Sequence, residues 1–480
     1  MGNLTVGKIF SGTNDDFTFE IYGTKGNLRF NLMEPNWLYY YDENADETVR
    51  GVTRIECVGR YPFPASGFPG AKAPAGWLYP ILMVVCKIIN SKLKTSFSYK
   101  EDPRKEAGPI VLISNHASRN DYLFTAPAVY PKKLNYVVGY NEFFRFPLNI
   151  VLKLMGVIPK KNFTPDLYTV RQVLKVIKRG GNICFMPEGM SSITGMAQPV
   201  ITGSAKLLKK LGVPVYYTKI SGGYLTYTKH CLDERPGKCE VVVDRMFTKE
   251  ELASMTEDEI TDTMNRLLAH DDYMWNKEAK VKFKCKGGRA QKLSTLLYMC
   301  PKCRGMYTNE NIGDRMRCKA CGNEIEVDEY YQIHAVSEDS VCPEYITGWT
   351  IMEREAAKEE VSKPDFVYSG HMKVGVLPDY KRLKGDNTSI ICGEGDLTLD
   401  HNGLHFKGIL KGKDYSFDMK SDSVLSYGMC TDISRFYTFV GGSFIEFYPE
   451  KEDVLRWDHL TEEMHRINGG KWQNTAYRHI

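Results

Sequence analysis

Between Pro109 and Phe247 the sequence repeats one alternation, a short apolar run followed by a stretch of helical period. The runs IVLI (110–113), NYVV (135–138), NICFM (182–186), VPVYYTKI (213–220) and CEVVVD (239–244) are short and rich in β-branched residues. LYTVRQVLKVIKRGG (167–181) and GSAKLLKKLG (203–212) instead place apolar residues three and four apart. Strands alternating with helices predict an α/β domain. The chain is 480 residues long, 42% hydrophobic and 25% charged, which is material for about two to four domains.

Two of the runs end abruptly in polar residues. IVLI empties into Asn115-His116-Ala117-Ser118-Arg119-Asn120-Asp121, and NICFM into Pro187-Glu188-Gly189. A histidine separated by four residues from an aspartate suits activation of a hydroxyl. The imidazole is a base near neutral pH, and a buried carboxylate fixes its tautomer and stabilises its cation. The spacing alone is equally that of a histidine capping a surface turn.

The blocks taken together resemble the phospholipid and glycerol acyltransferase family, whose signature is Asn-His-x4-Asp followed by Phe-Pro-Glu-Gly-Thr-Arg-Ser. Gly212-Val213-Pro214-Val215 is similar to the family's late Val-Pro-Val strand. Gly139–Phe144 and Gly156–Lys161 stand where the family binds its acceptor. The resemblance implies that His116 is the general base, with Asp121 as its orienting partner. It implies that Glu188 and Gly189 help to bind the acceptor's glycerol phosphate, and that Lys160 and Lys161 are phosphate contacts, since a phosphate drawn out of water needs cationic donors. Met190-Ser191-Ser192 replaces the family's Thr-Arg-Ser, and Arg119 is a candidate to supply the missing guanidinium. The implied reaction moves a fatty acyl group from acyl-CoA or acyl carrier protein to the hydroxyl of 1-acyl-glycerol-3-phosphate, without a catalytic metal. A different lysolipid or glycolipid acceptor, or an inactive fold used as a binding protein, are the alternatives.

Cys300-Pro301-Lys302-Cys303 and Cys318-Lys319-Ala320-Cys321 are two Cys-x-x-Cys pairs with 14 residues between them. Four thiolates at this spacing suit tetrahedral zinc, and a closed shell leaves no position for substrate, so the zinc is expected to be structural. The unit resembles a zinc ribbon. A redox pair is the competing reading. The N-terminus MGNLTVGKIFSGTNDDF lacks the apolar core of a secretory signal, which predicts a cytoplasmic chain with its 13 Cys as thiols or metal ligands.

No run of about 18 apolar residues occurs. WLYPILMVVCKIIN (77–90) fits either a core helix or one lying in a membrane interface, with Lys87, Lys92 and Lys94 beside it. Trp77 to Lys161 carries 13 Lys/Arg against 5 Asp/Glu, whereas Asn323 to Tyr368 carries 3 against 12. The basic part predicts peripheral association with lipids at the cytoplasmic face of the cell membrane. Nucleic acid is not an expected partner.

The predicted order is therefore a β-rich N-terminal fragment and Pro/Gly linker (1–76), the α/β acyltransferase-type domain with its apolar helix (77–275), a basic linker and zinc ribbon (276–330), an acidic linker (331–369) and a β-rich module (370–480). FTFEIYGTKGNLRFNL reads as a β-hairpin. With RYPFPASGFPG it resembles part of the C-terminal sheet domain of the Gfo/Idh/MocA oxidoreductases. No strand followed by Gly-x-Gly-x-x-Gly accompanies it, so a fragment rather than redox chemistry is implied. The last module, short strands and one helix, resembles a pleckstrin-homology or GRAM-type sheet.

Overall fold

The computed structural model describes residues 18–31, 37–48, 50–56, 72–201, 203–378, 383–385 and 387–470. RYPFPASGFPG and most of the Pro/Gly linker lie outside these residues. The described residues fall into two compact units. The first is an antiparallel sheet of β1 (Thr18–Gly23), β2 (Gly26–Asn31), β3 (Trp37–Asp42) and β4 (Val52–Glu56) in that order, so the hairpin read from the sequence gains two further strands.

The second unit runs from α1 (Leu78–Lys92) to the C-terminal helix. Its α/β part comprises β5 (Ser96–Tyr99), β6 (Val111–Ser114), α2 (Tyr122–Val129), β7 (Leu134–Gly139), α3 (Leu148–Leu154), β8 (Ile158–Lys160), α4 (Leu167–Lys178), β9 (Asn182–Phe185), α5 (Gly203–Leu211), β10 (Val215–Ser221), the four-residue α6 (Gly223–Thr226) and β11 (Glu240–Phe247). Helices α7 (Lys249–Ser254), α8 (Glu257–Leu268) and α9 (Asp272–Ala279) follow. The seven strands lie in the order β5-β11-β10-β6-β9-β7-β8, all neighbours parallel except β10 and β11.

Alternate strand residues explain the layering. Val111, Ile113, Ile183, Phe185, Val215 and Tyr217 meet the apolar stripes of α4, α5, α7 and α8 in one core. The other face is covered by α1 and α2: Tyr79 Oη accepts the Leu134 N–H at 3.1 Å, and Thr125 Oγ1 is 2.9 Å from Tyr136 Oη. Helix α1 is neither wholly core nor wholly free. Tyr79, Cys86 and Asn90 are buried, whereas Trp77, Ile81, Val84, Val85 and Ile88 are exposed, Ile88 by 65%.

Beyond α9 the chain forms a four-stranded antiparallel sheet, β12 (Asn309–Ile312), β13 (Arg315–Cys318), β14 (Glu324–Val327) and β15 (Ile333–Ala335). Helix α10 (Ile346–Val361) follows, then β16 (Val367–Val376), β17 (Ile390–Asp400), β18 (Gly403–Leu410), β19 (Lys413–Lys420), β20 (Gly428–Met429), β21 (Phe436–Val440), β22 (Ser443–Pro449) and α11 (Val454–Ile467). Strands β16 to β22 form an antiparallel sheet ordered β19-β18-β17-β16-β22-β21-β20.

The segment 331–369 is not the acidic linker expected. Its centre is α10, with Trp349 and Glu353 fully buried. Its charges are spent internally: Glu353 Oε1 accepts the Met299 N–H at 2.8 Å, and Arg354 pairs with Glu462 and Glu463 of α11. Part of the basic connector 277–292 is paired with acidic residues further along the chain: Lys277 with Glu344, Lys282 with Glu329 and Arg289 with Asp314.

Candidate active site

Strand β6 ends at Ser114, and the turn that follows is held by its own side chains and by its neighbour β10. Asn115 acts as a peptide mimic, its Nδ2 donating to Ile220 O at 2.9 Å and its Oδ1 accepting the Ile220 N–H at 2.8 Å. His116 Nδ1 lies 2.8 Å from Asp121 Oδ2. The other oxygen, Asp121 Oδ1, accepts from Ser118 N–H and Ser118 Oγ, both at 2.9 Å. Burial pushes the Asp121 carboxyl above its ordinary value, and the bonds from His116 and Ser118 oppose that rise. With Asp121 accepting at Nδ1, the second ring nitrogen of His116 is left as an acceptor, the state a general base requires. The His116 side chain keeps 24% of its surface exposed, against 1% for Asp121.

Strand β9 ends beside it, and the chain through 187–198 cradles the His116 backbone. Glu188 Oε1 accepts the His116 N–H and Oε2 the Gln198 N–H, each at 2.7 Å. Ser192 N–H donates to His116 O at 2.7 Å. Glu188 is 1% exposed and burial pushes its carboxyl up to about 8, with the two amides pulling the other way. Both of its oxygens are thus engaged by backbone, so Glu188 braces the His116 turn. Gly189 has φ +81°, a left-handed turn that a side chain would strain, and a Cβ there would press on Ile201 at 3.3 Å. Its part is to let the chain turn.

The three basic candidates do not join this cluster. The Arg119 guanidinium lies 5.8 Å from the Tyr227 ring and donates to Leu232 O at 3.3 Å. Lys160 ends β8, where burial lowers its amine's pKa and Asp166 partly opposes the shift. Lys161 Nζ donates to Gly442 O at 2.6 Å and lies 5.5 Å from the Tyr140 ring and 5.6 Å from that of Phe439. The tight turn between β21 and β22 thus reaches the expected phosphate block, and Asn162 Nδ2 adds a bond to Tyr437 Oη at 3.1 Å.

A small pocket, partly open to solvent, is lined by Asn115, His116, Glu188, Ser192, His270 and Asp272 among others. Two of these, His270 and Asp272, were not foreseen. Their signal is the His-x-Asp of Leu268-Ala269-His270-Asp271-Asp272, which looks like an ordinary helix cap in sequence. Ser118 was also missed, although it lies inside the motif itself.

At the other candidate site, the Sγ atoms of Cys300, Cys303, Cys318 and Cys321 all lie within 4.8 Å of one another, with 3.6 Å between Cys300 and Cys321 and 3.8 Å between Cys303 and Cys318. Four sulfurs about 2.3 Å from a tetrahedral zinc stand about 3.8 Å apart, so the donor set fits a metal ion. The four cysteines sit on the loop before β12 and around the end of β13.

Residues 96–220 match the family described as Acyltransferase. A 1-acyl-sn-glycerol-3-phosphate acyltransferase of Brassica napus, described as chloroplastic, is 26% identical over 131 residues, which are 27% of this chain and 38% of that relative's length. Among solved structures, the 1-acyl-sn-glycerophosphate acyltransferase PlsC from Thermotoga maritima overlaps 42% of this chain and 80% of its own, at 16% identity and a TM-score of 0.36. Nothing in these matches touches the oxidoreductase resemblance of the N-terminal segment. Residues 96–220, which hold both strand ends together with His116, Asp121 and Glu188, are an acyltransferase-family domain.

Proposed function

We propose that the chain transfers a fatty acyl group from a thioester, acyl-CoA or acyl carrier protein, to the hydroxyl of a lysolipid at a membrane surface. The observation that carries this reading is the His116–Asp121 pair at 2.8 Å, with a partly exposed imidazole on a turn whose backbone is clamped by Glu188. His116 takes the hydroxyl proton as the oxygen attacks the thioester carbonyl. The C–S bond then breaks, and the thiolate receives that proton from the imidazolium. Asp121 keeps the ring in the working tautomer and stabilises its cation. The phospholipid-synthesis acceptor 1-acyl-glycerol-3-phosphate is the one named for the relatives.

A second reading keeps the chemistry and changes the acceptor to another lysolipid or a glycolipid. It is favoured by Lys161, whose ammonium is already engaged by Gly442 O, and by Ser191 where the family carries Arg. Membrane association is supported by the exposed apolar face of α1 beside Lys87 and Lys92, and no helix among the described residues is long and apolar enough to cross a membrane. The four-Cys cluster is read as a structural zinc site: the four cysteines hold the ion and close its shell, and their part is to fix the β12–β15 sheet.

The test offers purified protein labelled acyl-CoA or acyl carrier protein and a panel of lysolipids, with anionic vesicles present or absent. Transfer to one acceptor, stimulated by vesicles, is expected. No transfer to any acceptor from either donor defeats the reading.

A further inference from the structure

His270 and Asp272 form a second histidine–carboxylate pair at the pocket that His116 lines. His270 Nε2 is 2.6 Å from Asp272 Oδ1, and that carboxylate is fully buried. Asp272 also accepts the backbone N–H groups of Gly222 and Tyr224 at 2.8 Å and of Leu225 at 3.0 Å. A carboxylate receiving this many donors is an acceptor only, so the proton between the pair sits on His270 Nε2. In the neutral form of the ring that leaves Nδ1 as an acceptor, and Nδ1 has no hydrogen bond among the described residues.

His116 is the mirror case, with Nδ1 turned to Asp121 and Nε2 left as acceptor. One small pocket therefore has two imidazoles, each with one acceptor nitrogen to spare. No Lys or Arg lines it, and Glu188 and Asp272 do. Such a lining offers a phosphate dianion no cationic partner and suits groups that donate hydrogen bonds, which among lipid acceptors are hydroxyls. The pocket has room for a hydroxyl-sized group, not for an acyl chain, and it opens to solvent.

We propose that His270, fixed by Asp272, is a specificity-determining residue that binds a second hydroxyl of the acyl acceptor, so that the chain prefers a neutral vicinal diol. This rests on the acyl-transfer reading given above. One hydroxyl loses its proton to His116 Nε2 as its oxygen forms the ester and the thioester C–S bond breaks, the thiolate leaving with that proton. The other hydroxyl only donates a hydrogen bond to His270 Nδ1 and keeps its proton throughout.

The experiment measures kcat and KM for three acceptors with the same acyl donor: 1-acylglycerol, which is a vicinal diol; its 3-O-methyl ether, which blocks one hydroxyl; and 1-acyl-glycerol-3-phosphate. Wild type, His270→Ala and His270→Gln are compared, with thermal melting of each. One neutral hydrogen bond corresponds to about threefold to tenfold in KM. Wild type is expected to favour the diol over the ether by that factor. His270→Ala is expected to erase the preference through KM, with kcat kept. His270→Gln, whose amide can donate to Asp272 and accept from the hydroxyl, is expected to restore part of it and to melt like wild type. Should His270→Ala fail to fold, the Gln variant and the diol-to-ether ratio of wild type decide alone. Equal use of diol and ether by wild type, a ratio unchanged in folded His270→Ala, or transfer to the phosphate acceptor only would overturn the inference and leave acyl transfer standing. A wild type that acylates none of the three and no other lysolipid overturns both.

Discussion

The two histidine–aspartate pairs at the pocket are chemically alike and are held in opposite ways. Asp121 draws every partner from the seven-residue turn it ends: His116 Nδ1, Ser118 N–H and Ser118 Oγ. Asp272 is tied to His270 two residues away, but its three backbone donors come from Gly222, Tyr224 and Leu225, roughly fifty residues upstream. The imidazole of the first pair is 24% exposed and that of the second 8%. In the first pair both carboxylate oxygens are engaged within one turn, and Asn115, Glu188 and Ser192 fasten that turn to the sheet and to the 187–198 segment while the imidazole faces solvent. A pair that joins the end of β10 and α6 to the start of α9 is first of all a tie between segments, and whatever it binds is bound on top of that.

This contrast can be broken by exchanging the consequences of mutation. The largest effect on activity is expected for His116→Ala, about 10²- to 10⁴-fold in kcat, the usual worth of a general base, with little change in melting temperature. A folded His116→Ala variant with wild-type turnover would dissolve the distinction.

The largest effect on stability is expected for Asp272→Ala, which strands three buried N–H groups and an imidazole. Each unsatisfied group costs about 1–3 kcal/mol, so a loss of several kcal/mol in denaturant unfolding is predicted. Asp121→Ala strands one backbone N–H, a hydroxyl and an imidazole that is partly open to water, and its stability loss should be smaller.

Glu188 sharpens the comparison, since it links the His116 turn to the 187–198 segment. In Glu188→Gln the new amide sets a donor against either the His116 or the Gln198 N–H, which predicts a loss of about 1–3 kcal/mol together with lower activity. Its pH dependence has a definite sign. Burial lifts Glu188 from 4.5 to about 8, so the folded chain holds a proton that the unfolded chain releases. That contribution to stability is complete below pH 4.5, falls as pH rises through about 8, and should be missing from the pH profile of Glu188→Gln. The smallest effect is expected for Ser118→Ala, about 1 kcal/mol and a modest loss of rate, because Asp121 Oδ1 keeps the Ser118 N–H.

What could be read from the sequence follows the same division between local and distant support. The runs at 110–113, 182–186 and 213–220 are strands because their apolar residues pair with adjacent strands and face helices on either side. His116 and Asp121 meet because their partners lie within the turn. Strands β5 and β8 were missed, being four and three residues long at the two edges of the sheet. The bond from Lys161 to Gly442 O was not legible, because the two residues are 281 apart. Both oxygens of Glu188 are spent on amides that no local spacing reveals. Segment 331–369 looked like a solvated acidic run because the bonds that bury Glu353 and pair Arg354 are made to residues outside it.

The most direct test of the account is a single-turnover measurement of labelled acyl transfer from a thioester to a lysolipid hydroxyl, run side by side for wild type and His116→Ala. Transfer by wild type is expected, with a loss of about 10²-fold or more in the folded variant. Transfer at an undiminished rate in His116→Ala would contradict it.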